Sequence, residues 1–392
     1  MDVKSAIEKL QYIEMELNSF AMERTEEVKM SIIALLCGQH MLLLGPPGTG
    51  KSMLVWQLVR RIDGARLFEM LLTKYSTDKD LFVSRTDIQE EQHNGCKSVR
   101  FFHSTEGTLA DAQVAFLDEI FKANSATLNA LLTLINERKF HINGQTFAAP
   151  LVSLFGASNE LPEEGEGLEA LYDRFMIRMV AERVRERGNR LTMRQKSRAH
   201  RAAQANGSLP AITTINMQEL DLLRRQAALV AVPTVIDERI EEIIDALLTE
   251  GIVVSDRRDA RLDTIIQAHA LMDGRQQVNE GDISVLQYCL WNQPTEIKTV
   301  QRIVLSIANP MENKAIELLD QAQEIRDDAV KAADGAAGAE ANSKLKKLVV
   351  AIDELVKQAQ SQGAPTTKIV EVKNTIQSLN KEVVKVCLGL DL

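Results

Sequence analysis

The sequence has few aromatic residues, few cysteines and no long apolar run, and each shortage excludes a class of protein. Phe, Trp and Tyr make up 4% of the 392 residues, so Leu, Ile, Val, Ala and Met must form the core, which favours a helix-rich fold. Four cysteines stand far apart without a CxxC pair, a pattern that suits free thiols in a reducing compartment and provides no zinc site. No stretch approaches the length of apolar sequence that a membrane-spanning helix needs, so we expect no membrane span.

Positive charge is also in deficit. The chain has 46 Lys and Arg against 55 Asp and Glu, a formal net charge of −9, which argues against bulk attraction to nucleic acid or to anionic membranes. The N-terminal residues alternate charged and apolar types at helical spacing and lack the apolar core of a signal peptide, so we expect a cytoplasmic protein. The length allows two or three domains.

Short apolar runs alternate with helical periodicity through the first half of the chain. Strands are predicted at residues 40–45, 114–118 and 151–156, and helices at 51–61 and 125–138. Strands that are separated by helices favour a parallel sheet with helices on both faces. The pattern therefore predicts an α/β core.

The rest of the chain is predicted to be helical. Residues 213–306 show helical spacing without strand signals, and residues 313–388 contain three apolar series that break at Gly335–Gly338 and Gly363–Pro365. Such series predict an antiparallel three-helix bundle or a coiled coil. The third series consists of Ile369, Val372, Ile376, Leu379, Val383 and Val386.

A basic stretch separates the two halves. Residues 182–201 contain eight arginines or lysines, and we interpret them as a solvated connector, with contact to a polyanion or a partner as the alternative. We therefore expect four segments: an α/β core over residues 1–182, a basic linker over 183–212, a helical lid over 213–306 and a helical bundle over 307–392.

A phosphate loop follows the first predicted strand. The sequence GPPGTGKS fits GxxxxGK[ST], in which glycines let backbone N–H groups turn towards phosphate oxygens. Lys51 would reach the β- and γ-phosphates, and the Ser52 hydroxyl would bind Mg²⁺. The predicted nucleotide-binding residues are Gly45, Pro46, Pro47, Gly48, Thr49, Gly50, Lys51, Ser52 and Met53.

Two acids and an amide end the next two predicted strands. Asp118 and Glu119 follow an apolar run, and the carboxyl end of a buried parallel strand points into the ligand crevice. Asp118 is predicted to hold Mg²⁺, and Glu119 to polarise the attacking water. Asn159 follows the strand at 151–156 and is predicted to orient the same water and sense the γ-phosphate.

These residues together resemble an AAA+ ATPase, and more narrowly the MoxR family and its RavA branch. The phrases GPPGTGKS, VAFLDEIFKANSATLNALLTLINERKF, GASNELP, LEALYDRFMIR and VSDRR carry the resemblance. It implies an AAA+ P-loop parallel sheet core with an all-helical lid, here followed by the helical bundle. It also implies a ring, typically of six subunits, with ATP and Mg²⁺ held between neighbours.

The resemblance assigns further roles residue by residue. Lys51, Ser52, Asp118 and Glu119 match the Walker A and B groups, and Asn159 matches sensor 1. Arg174 matches the arginine finger that reaches the next subunit, with Arg178, one helical turn away, as the alternative. Arg257 matches the sensor 2 arginine of the lid, with Arg258 as the alternative. A planar, permanently charged guanidinium suits stabilisation of a transferring phosphoryl group.

Two regions depart from the family pattern. Residues 84–103 occupy the place of the family's insertion in its second helix and predict a β-hairpin, but Val83-Ser84-Arg85 replaces a Gly-Pro-Leu element. RavA proteins also carry a small β-rich insertion that binds a partner enzyme, and residues 307–392 are too short and too helical to contain it. Binding to that enzyme is therefore not expected.

The resemblance implies a chaperone-like role in which ATP hydrolysis remodels or matures a complex that includes a von Willebrand factor A domain protein. A nucleic-acid-dependent motor is one alternative. The acidic net charge and the absence of a recognisable helix-turn-helix or winged-helix module oppose it, whereas the basic stretch supports it. The other alternative is a nucleotide-gated scaffold, in which the helical tail does the binding and ATP hydrolysis only resets it.

Overall fold

The computed structural model describes residues 2–93, 96–142, 144–161, 169–332, 334–361 and 366–388. They divide into two compact units. The first comprises Met1–Asp237 and Ile252–Pro294, and the second comprises Glu238–Gly251 and Thr295–Leu392. No helix in the described ranges is both long enough and apolar enough to cross a membrane.

Helices account for most of the chain. The α-helices within the described residues are, in chain order, α1 (Val3–Phe20), α2 (Thr25–Cys37), α3 (Lys51–Val59), α4 (Asp78–Phe82), α5 (Ser125–Glu137), α6 (Glu169–Tyr172), α7 (Arg187–Ala205), α8 (Met217–Ala227), α9 (Thr234–Thr249), α10 (Asp256–Asp259), α11 (Leu262–Met272), α12 (Ile297–Ala308), α13 (Pro310–Ala332), α14 (Gly335–Ser361) and α15 (Thr367–Leu388).

Every strand that the structure describes lies in the first unit. Those that the structure describes are β1 (Met41–Leu44), β2 (Ile62–Asp63), β3 (Leu67–Leu71), β4 (Arg85–His93), β5 (Cys96–Ser104), β6 (Val114–Asp118), β7 (Lys139–Ile142), β8 (Gln145–Ala148), β9 (Ser153–Ser158), β10 (Ile177–Val180) and β11 (Ile215–Asn216).

A five-stranded parallel sheet forms the core of the first unit, in the order β10-β1-β9-β6-β3. Every residue of β1 and β9 is buried, which explains why they are uninterrupted apolar or small-residue runs rather than alternating ones. β1 lies between β9 and β10, so Leu44 is paired with both Ser158 and Val180. The predicted α/β sheet with flanking helices is confirmed.

Local signals explain where the helices of this unit begin. Asn124 caps α5 by accepting a hydrogen bond from the Thr127 N–H at 3.0 Å, and a buried stripe that includes Leu128, Leu131 and Ile135 packs one face of the helix.

The predicted β-hairpin is also present, as β4 paired antiparallel with β5. One expectation is wrong: β11 is a short strand, paired with β2, in the region predicted to be wholly helical.

The basic stretch forms a helix. α7 spans 19 residues, and none of its residues is buried. Between Arg187 and Ala205 the sequence contains six Arg and Lys residues and no Asp or Glu. The connector interpretation did not predict this helix.

The helices α13, α14 and α15 form the core of the second unit around Ala, Leu, Ile and Val side chains. The predicted three helices are present, with two corrections, and the predicted break at Gly363–Pro365 lies outside the described residues. Gly335 and Gly338 form the first turn of α14 instead of a break. Val386 is exposed, and Cys387 packs against the core in its place. The core position that follows Val383 is therefore four residues further along the helix, not three.

Candidate active site

The phosphate loop lies between the end of β1 and the start of α3. Gly45 has φ +142°, and a Cβ atom at this position would lie 2.2 Å from the carbonyl oxygen of Ala181. Its N–H donates to the Ser158 carbonyl at 3.0 Å. Only glycine can therefore turn the chain here, because any side chain would overlap the end of β10.

Lys51 lies buried inside this loop. Its Nζ donates to the carbonyl oxygens of Gly45 at 2.5 Å and Pro46 at 3.3 Å, and to Asn159 Oδ1 at 3.3 Å. Burial lowers the pKa of Lys51, and the carboxylates of Asp118 and Glu119 act in the opposite direction. The ammonium group is thus held by neutral acceptors near two carboxylates, where a phosphate would be a stronger partner.

Asn159 connects two of the sequence motifs. Its Oδ1 accepts from Lys51, and its Nδ2 donates to Glu119 Oε1. The second carboxylate oxygen of Glu119 lies 3.1 Å from Lys122 Nζ. Glu119 has φ +52°, a left-handed conformation that a residue with a side chain adopts only when its surroundings hold it there. Asp118 precedes it at the end of β6, with Oδ1 accepting from the Glu119 N–H at 3.0 Å.

The other predicted nucleotide-binding residues surround an open loop. Pro46, Pro47, Gly48, Gly50, Ser52 and Met53 are exposed. Thr49 closes the turn by donating its hydroxyl hydrogen to the Pro46 carbonyl at 3.0 Å. The structure therefore brings the loop, Lys51, Asp118, Glu119 and Asn159 to one edge of the sheet.

Donors and acceptors at this edge fit a magnesium-bound triphosphate. Added Cβ atoms at Gly48 and Gly50 would meet nothing within 4 Å, so the loop leaves space for a ligand. The Ser52 hydroxyl and the Asp118 carboxylate are hard oxygen ligands of the type that Mg²⁺ prefers. Assignment of these residues to nucleotide and metal stays a prediction.

Arg174 lies outside this cluster, after α6. Its Nε and Nη1 are buried, and no described residue accepts a hydrogen bond from either. Leaving buried N–H groups without acceptors is costly, so the described residues alone do not account for the position of this side chain.

The structure contradicts the position expected for the alternative, Arg178. Arg178 lies on β10 and not one helical turn from Arg174, and it is fully buried. Its guanidinium donates to the carbonyl oxygens of Phe175 at 3.1 Å, Trp291 at 2.5 Å and Tyr172 at 3.3 Å. Burial lowers its pKa to about 10. These internal contacts leave it unavailable to a neighbouring subunit.

The two lid arginines differ in their surroundings. Arg257 is partly exposed, and its Nη1 donates to Asp173 Oδ2 at 2.9 Å. Arg258 is buried and donates to Asp173 Oδ1 at 3.2 Å, to the Cys289 carbonyl at 3.2 Å and to Asn292 Oδ1. Arg258 is thus held by several internal hydrogen bonds, whereas Arg257 is partly exposed and bonds to Asp173 alone among the described residues.

Sequence reasoning missed three residues at the site. Arg24 donates to the carbonyl oxygens of Thr49, at 3.2 Å, and of Glu182, and so ties the phosphate loop to the segment after β10. Lys122 holds Glu119, and Asp173 holds both lid arginines. Arg24 belongs to no motif, whereas Lys122 and Asp173 stand beside motif residues and could have been found as neighbours of Glu119 and Arg174.

Comparisons with known proteins agree with this geometry. Residues 8–225 match the family described as the MoxR domain in the MoxR-vWA-β-propeller ternary systems, and residues 234–304 match an AAA lid domain. An uncharacterised protein of Methanocaldococcus jannaschii is 35% identical over 82% of this chain and 84% of its own length.

More distant similarities point the same way. The chaperone MoxR1 of Mycobacterium tuberculosis is 27% identical over 42% of each chain. A crystal structure described as a candidate ATPase from Cytophaga hutchinsonii has a TM-score of 0.61 over 78% of this chain and 96% of that one. At 18% identity, this structural likeness speaks for the fold alone.

Proposed function

Because this chain belongs to the MoxR family of AAA+ ATPases, we propose that it hydrolyses ATP at a site shared between two copies of itself, and that the cycle remodels a partner protein. The observation that carries the proposal is the position of Asn159, whose amide touches both Lys51 of the phosphate loop and Glu119 at the end of β6. Three separate chain segments thereby meet where a γ-phosphate would lie.

In this proposal one protomer supplies most of the chemistry. The phosphate loop and Lys51 would bind the β- and γ-phosphates, while Ser52 and Asp118 would hold Mg²⁺, which supplies neutralising charge when bound. Glu119 would take a proton from the attacking water while the oxygen of that water forms a bond to the γ-phosphorus. The bond from that phosphorus to the bridging oxygen breaks, which leaves ADP and phosphate. Asn159 would orient Glu119 and the water.

The neighbouring protomer would supply Arg174. Its Nε and Nη1 lack an acceptor among the described residues, so neither has an internal hydrogen bond there to lose when the side chain turns towards a neighbour's phosphate. A guanidinium that arrives only when two copies meet would stabilise the charge of the transferring group and couple hydrolysis to assembly. We propose a homo-hexameric ring, and Arg257 as the lid residue that responds to the γ-phosphate.

The substrate of the cycle is proposed to be a protein with a von Willebrand factor A domain. The matched family is described by its occurrence in MoxR-vWA-β-propeller systems, and one relative is named a chaperone. Remodelling of such a complex fits a ring whose subunits move when the γ-phosphate is lost.

Two substitutions test the hydrolysis step. Glu119→Gln should bind ATP with near-normal affinity but hydrolyse it at least about a hundredfold more slowly, because a general base typically contributes that much. Lys51→Ala should lose nucleotide binding, and Glu137→Gln, an exposed acid at the end of α5, is the control. ATP turnover in Glu119→Gln equal to that of the unmodified protein would contradict the proposed role.

One observation favours a second function. α7 is an exposed helix with six basic and no acidic residues, which suits a nucleic-acid-dependent motor. ATP turnover with and without DNA at near-physiological salt separates the two functions. A strong, salt-sensitive stimulation would favour the motor, and turnover that no candidate partner stimulates would favour a nucleotide-gated scaffold.

A further inference from the structure

Three polar side chains of the segment 255–258 converge on one carboxylate of the α/β core. Asp173 Oδ1 accepts from the Ser255 hydroxyl at 2.9 Å and from Arg258 Nε at 3.2 Å, and its Oδ2 accepts from Arg257 Nη1 at 2.9 Å. Burial disfavours the charged form of Asp173, but these hydrogen bonds and the Arg258 charge outweigh burial and lower its pKa. The carboxylate is therefore ionised at neutral pH.

The two arginines hold Asp173 in different ways. Arg258 is buried and also bonds the Cys289 carbonyl and Asn292, so releasing it would leave a charge and several acceptors unpaired. Arg257 is 43% exposed, and among the described residues its side chain bonds to Asp173 alone. An exposed pair of this kind is weak, so a phosphate group can compete with Asp173 for Arg257.

Asp173 is directly followed by Arg174. The Arg174 N–H donates to the Leu171 carbonyl at 3.1 Å, which closes a turn around Asp173. The preceding residue is fastened to the same part of the lid, since the Tyr172 hydroxyl donates to the Asn292 carbonyl at 2.6 Å. The position of the Arg174 backbone therefore depends on how firmly Asp173 is held.

We propose that Asp173 is a positioning residue, which holds Arg174 against the lid through Arg258 and exchanges Arg257 with the phosphate of a bound nucleotide. This inference rests on the proposed function, in which Arg174 and Arg257 act on ATP. Nucleotide would thereby weaken one of the two charged contacts of Asp173 and leave the buried one in place. The finger would stay anchored while the lid arginine moves.

The first experiment compares steady-state hydrolysis by Asp173→Asn with that of the unmodified protein. We expect kcat to fall about tenfold or more, because a small misplacement of a catalytic group is that costly. We expect KM for ATP to fall as well, because Arg257 no longer has a competing carboxylate. Asp256→Asn is the control. It changes an exposed acid on α10, the short helix that carries Arg257, and should change neither kcat nor KM.

The second experiment measures ATP affinity directly in the Glu119→Gln background, where hydrolysis does not interfere. Asp173→Asn should bind ATP about twofold to fivefold more tightly, the equivalent of an exposed ion pair. The same substitution should have no such effect when Arg257→Gln is also present. A residue that only supports the fold would lower kcat and leave affinity unchanged or weaker, and that result would overturn the inference.

Should Asp173→Asn fail to fold, Arg257→Gln carries the test, because it leaves the buried Arg258 contact intact. Arg257→Gln should weaken ATP binding and lower kcat far less than Arg174→Ala does. Unchanged ATP affinity would overturn the inference. Failure of the proposed function looks different: the unmodified protein would not hydrolyse ATP at all. If it hydrolyses ATP and Asp173→Asn matches it in kcat and KM, the positioning role alone is wrong.

Discussion

Gly45 shows how one backbone position shapes the phosphate loop. Two demands meet there: φ is +142°, and the carbonyl of Ala181 occupies the place of a Cβ atom. Gly48 also has a positive φ, +79°, but nothing lies within 4 Å of its added Cβ. Comparing substitutions at the two glycines therefore separates the cost of steric overlap from the cost of conformational strain.

We predict that Gly45→Ala destabilises the protein by more than about 2 kcal/mol, because strain and overlap add. Gly48→Ala should cost about 1 kcal/mol, from strain alone. Urea unfolding of both variants, followed by circular dichroism, measures the difference in free energy of unfolding. Equal losses of unfolding free energy would mean that the backbone at Ala181, just after β10, shifts to make room for the added methyl group.

A buried carboxylate offers a second residue with a measurable signature. Asp282 is fully buried, and its oxygens lie 2.5 Å from Arg275 Nη1 and 2.6 Å from Arg275 Nη2, with His269 Nδ1 at 2.5 Å. His269, Asp273 and Asp282 could be mistaken for metal ligands. The Arg275 guanidinium already neutralises Asp282, so we interpret the cluster as structural.

The pH dependence of stability tests this interpretation. Burial raises the pKa of Asp282, but hydrogen bonds from Arg275 and His269 outweigh it and lower the pKa from 3.8 to about 2. The ionised group should add about 2 kcal/mol of stability above pH ~4, lost as the pH falls towards ~2. The stability difference between the unmodified protein and Asp282→Asn should shrink over that window. Asp273→Asn changes an exposed partner of Arg275 and keeps Asp282, so this variant should still lose the stability contributed by Asp282 between pH ~4 and ~2.

At the scale of elements, burial separates helices whose sequences look equally helical. α14 presents Leu345, Ile352 and Leu355 to the bundle core, whereas Val350 on the same helix is 58% exposed. α7 has no buried residue, and like charges recur four residues apart at Arg190, Arg194 and Arg198, which weakens an isolated helix. Packing stabilises the first helix and not the second.

We predict that Ile352→Ala destabilises the second unit by about 2–4 kcal/mol through the cavity it leaves. Val350→Ala, on the exposed side, should cost less than about 0.5 kcal/mol. Thermal and urea unfolding of the two variants gives the comparison. Similar effects at both positions would contradict the three-helix core.

At the scale of the whole molecule, the proposed active site requires a second copy. Lys51→Ala protomers keep Arg174, and Arg174→Ala protomers keep the phosphate loop. We predict that each variant alone is inactive and that an equal mixture regains turnover, because head-to-tail assembly makes about a quarter of the interfaces complete.

Two controls sharpen this prediction. Mixing Lys51→Ala with the Lys51→Ala, Arg174→Ala double variant should restore nothing, since no interface is complete. Size-exclusion chromatography establishes that the mixed protomers assemble together. An assembled mixture that stays inactive would remove Arg174 from the shared site.

Much of the α/β core followed from sequence. The strand predicted at 114–118 is β6 (Val114–Asp118), and the helix predicted at 125–138 ends within one residue of α5. Continuous apolar runs and 3.6-residue periodicity depend on neighbours along the chain, so such elements can be recognised locally. The MoxR resemblance also came from contiguous phrases, whereas the RavA branch stays a prediction.

The sequence by itself determined three of the five strands of the parallel sheet, β1, β6 and β9, and the phosphate loop, because each is encoded by residues that lie close together in sequence. Strands β3 and β10 and the order of the strands came only from the tertiary structure. Only the tertiary structure decided that Arg178 and Arg258 are buried in internal hydrogen bonds while Arg257 is exposed. It also decided that Asp173 joins residues more than 80 positions apart. Neighbouring arginines look alike in a sequence, but the fold surrounds Arg258 with oxygen acceptors of Asp173, Cys289 and Asn292 and leaves Arg257 partly exposed.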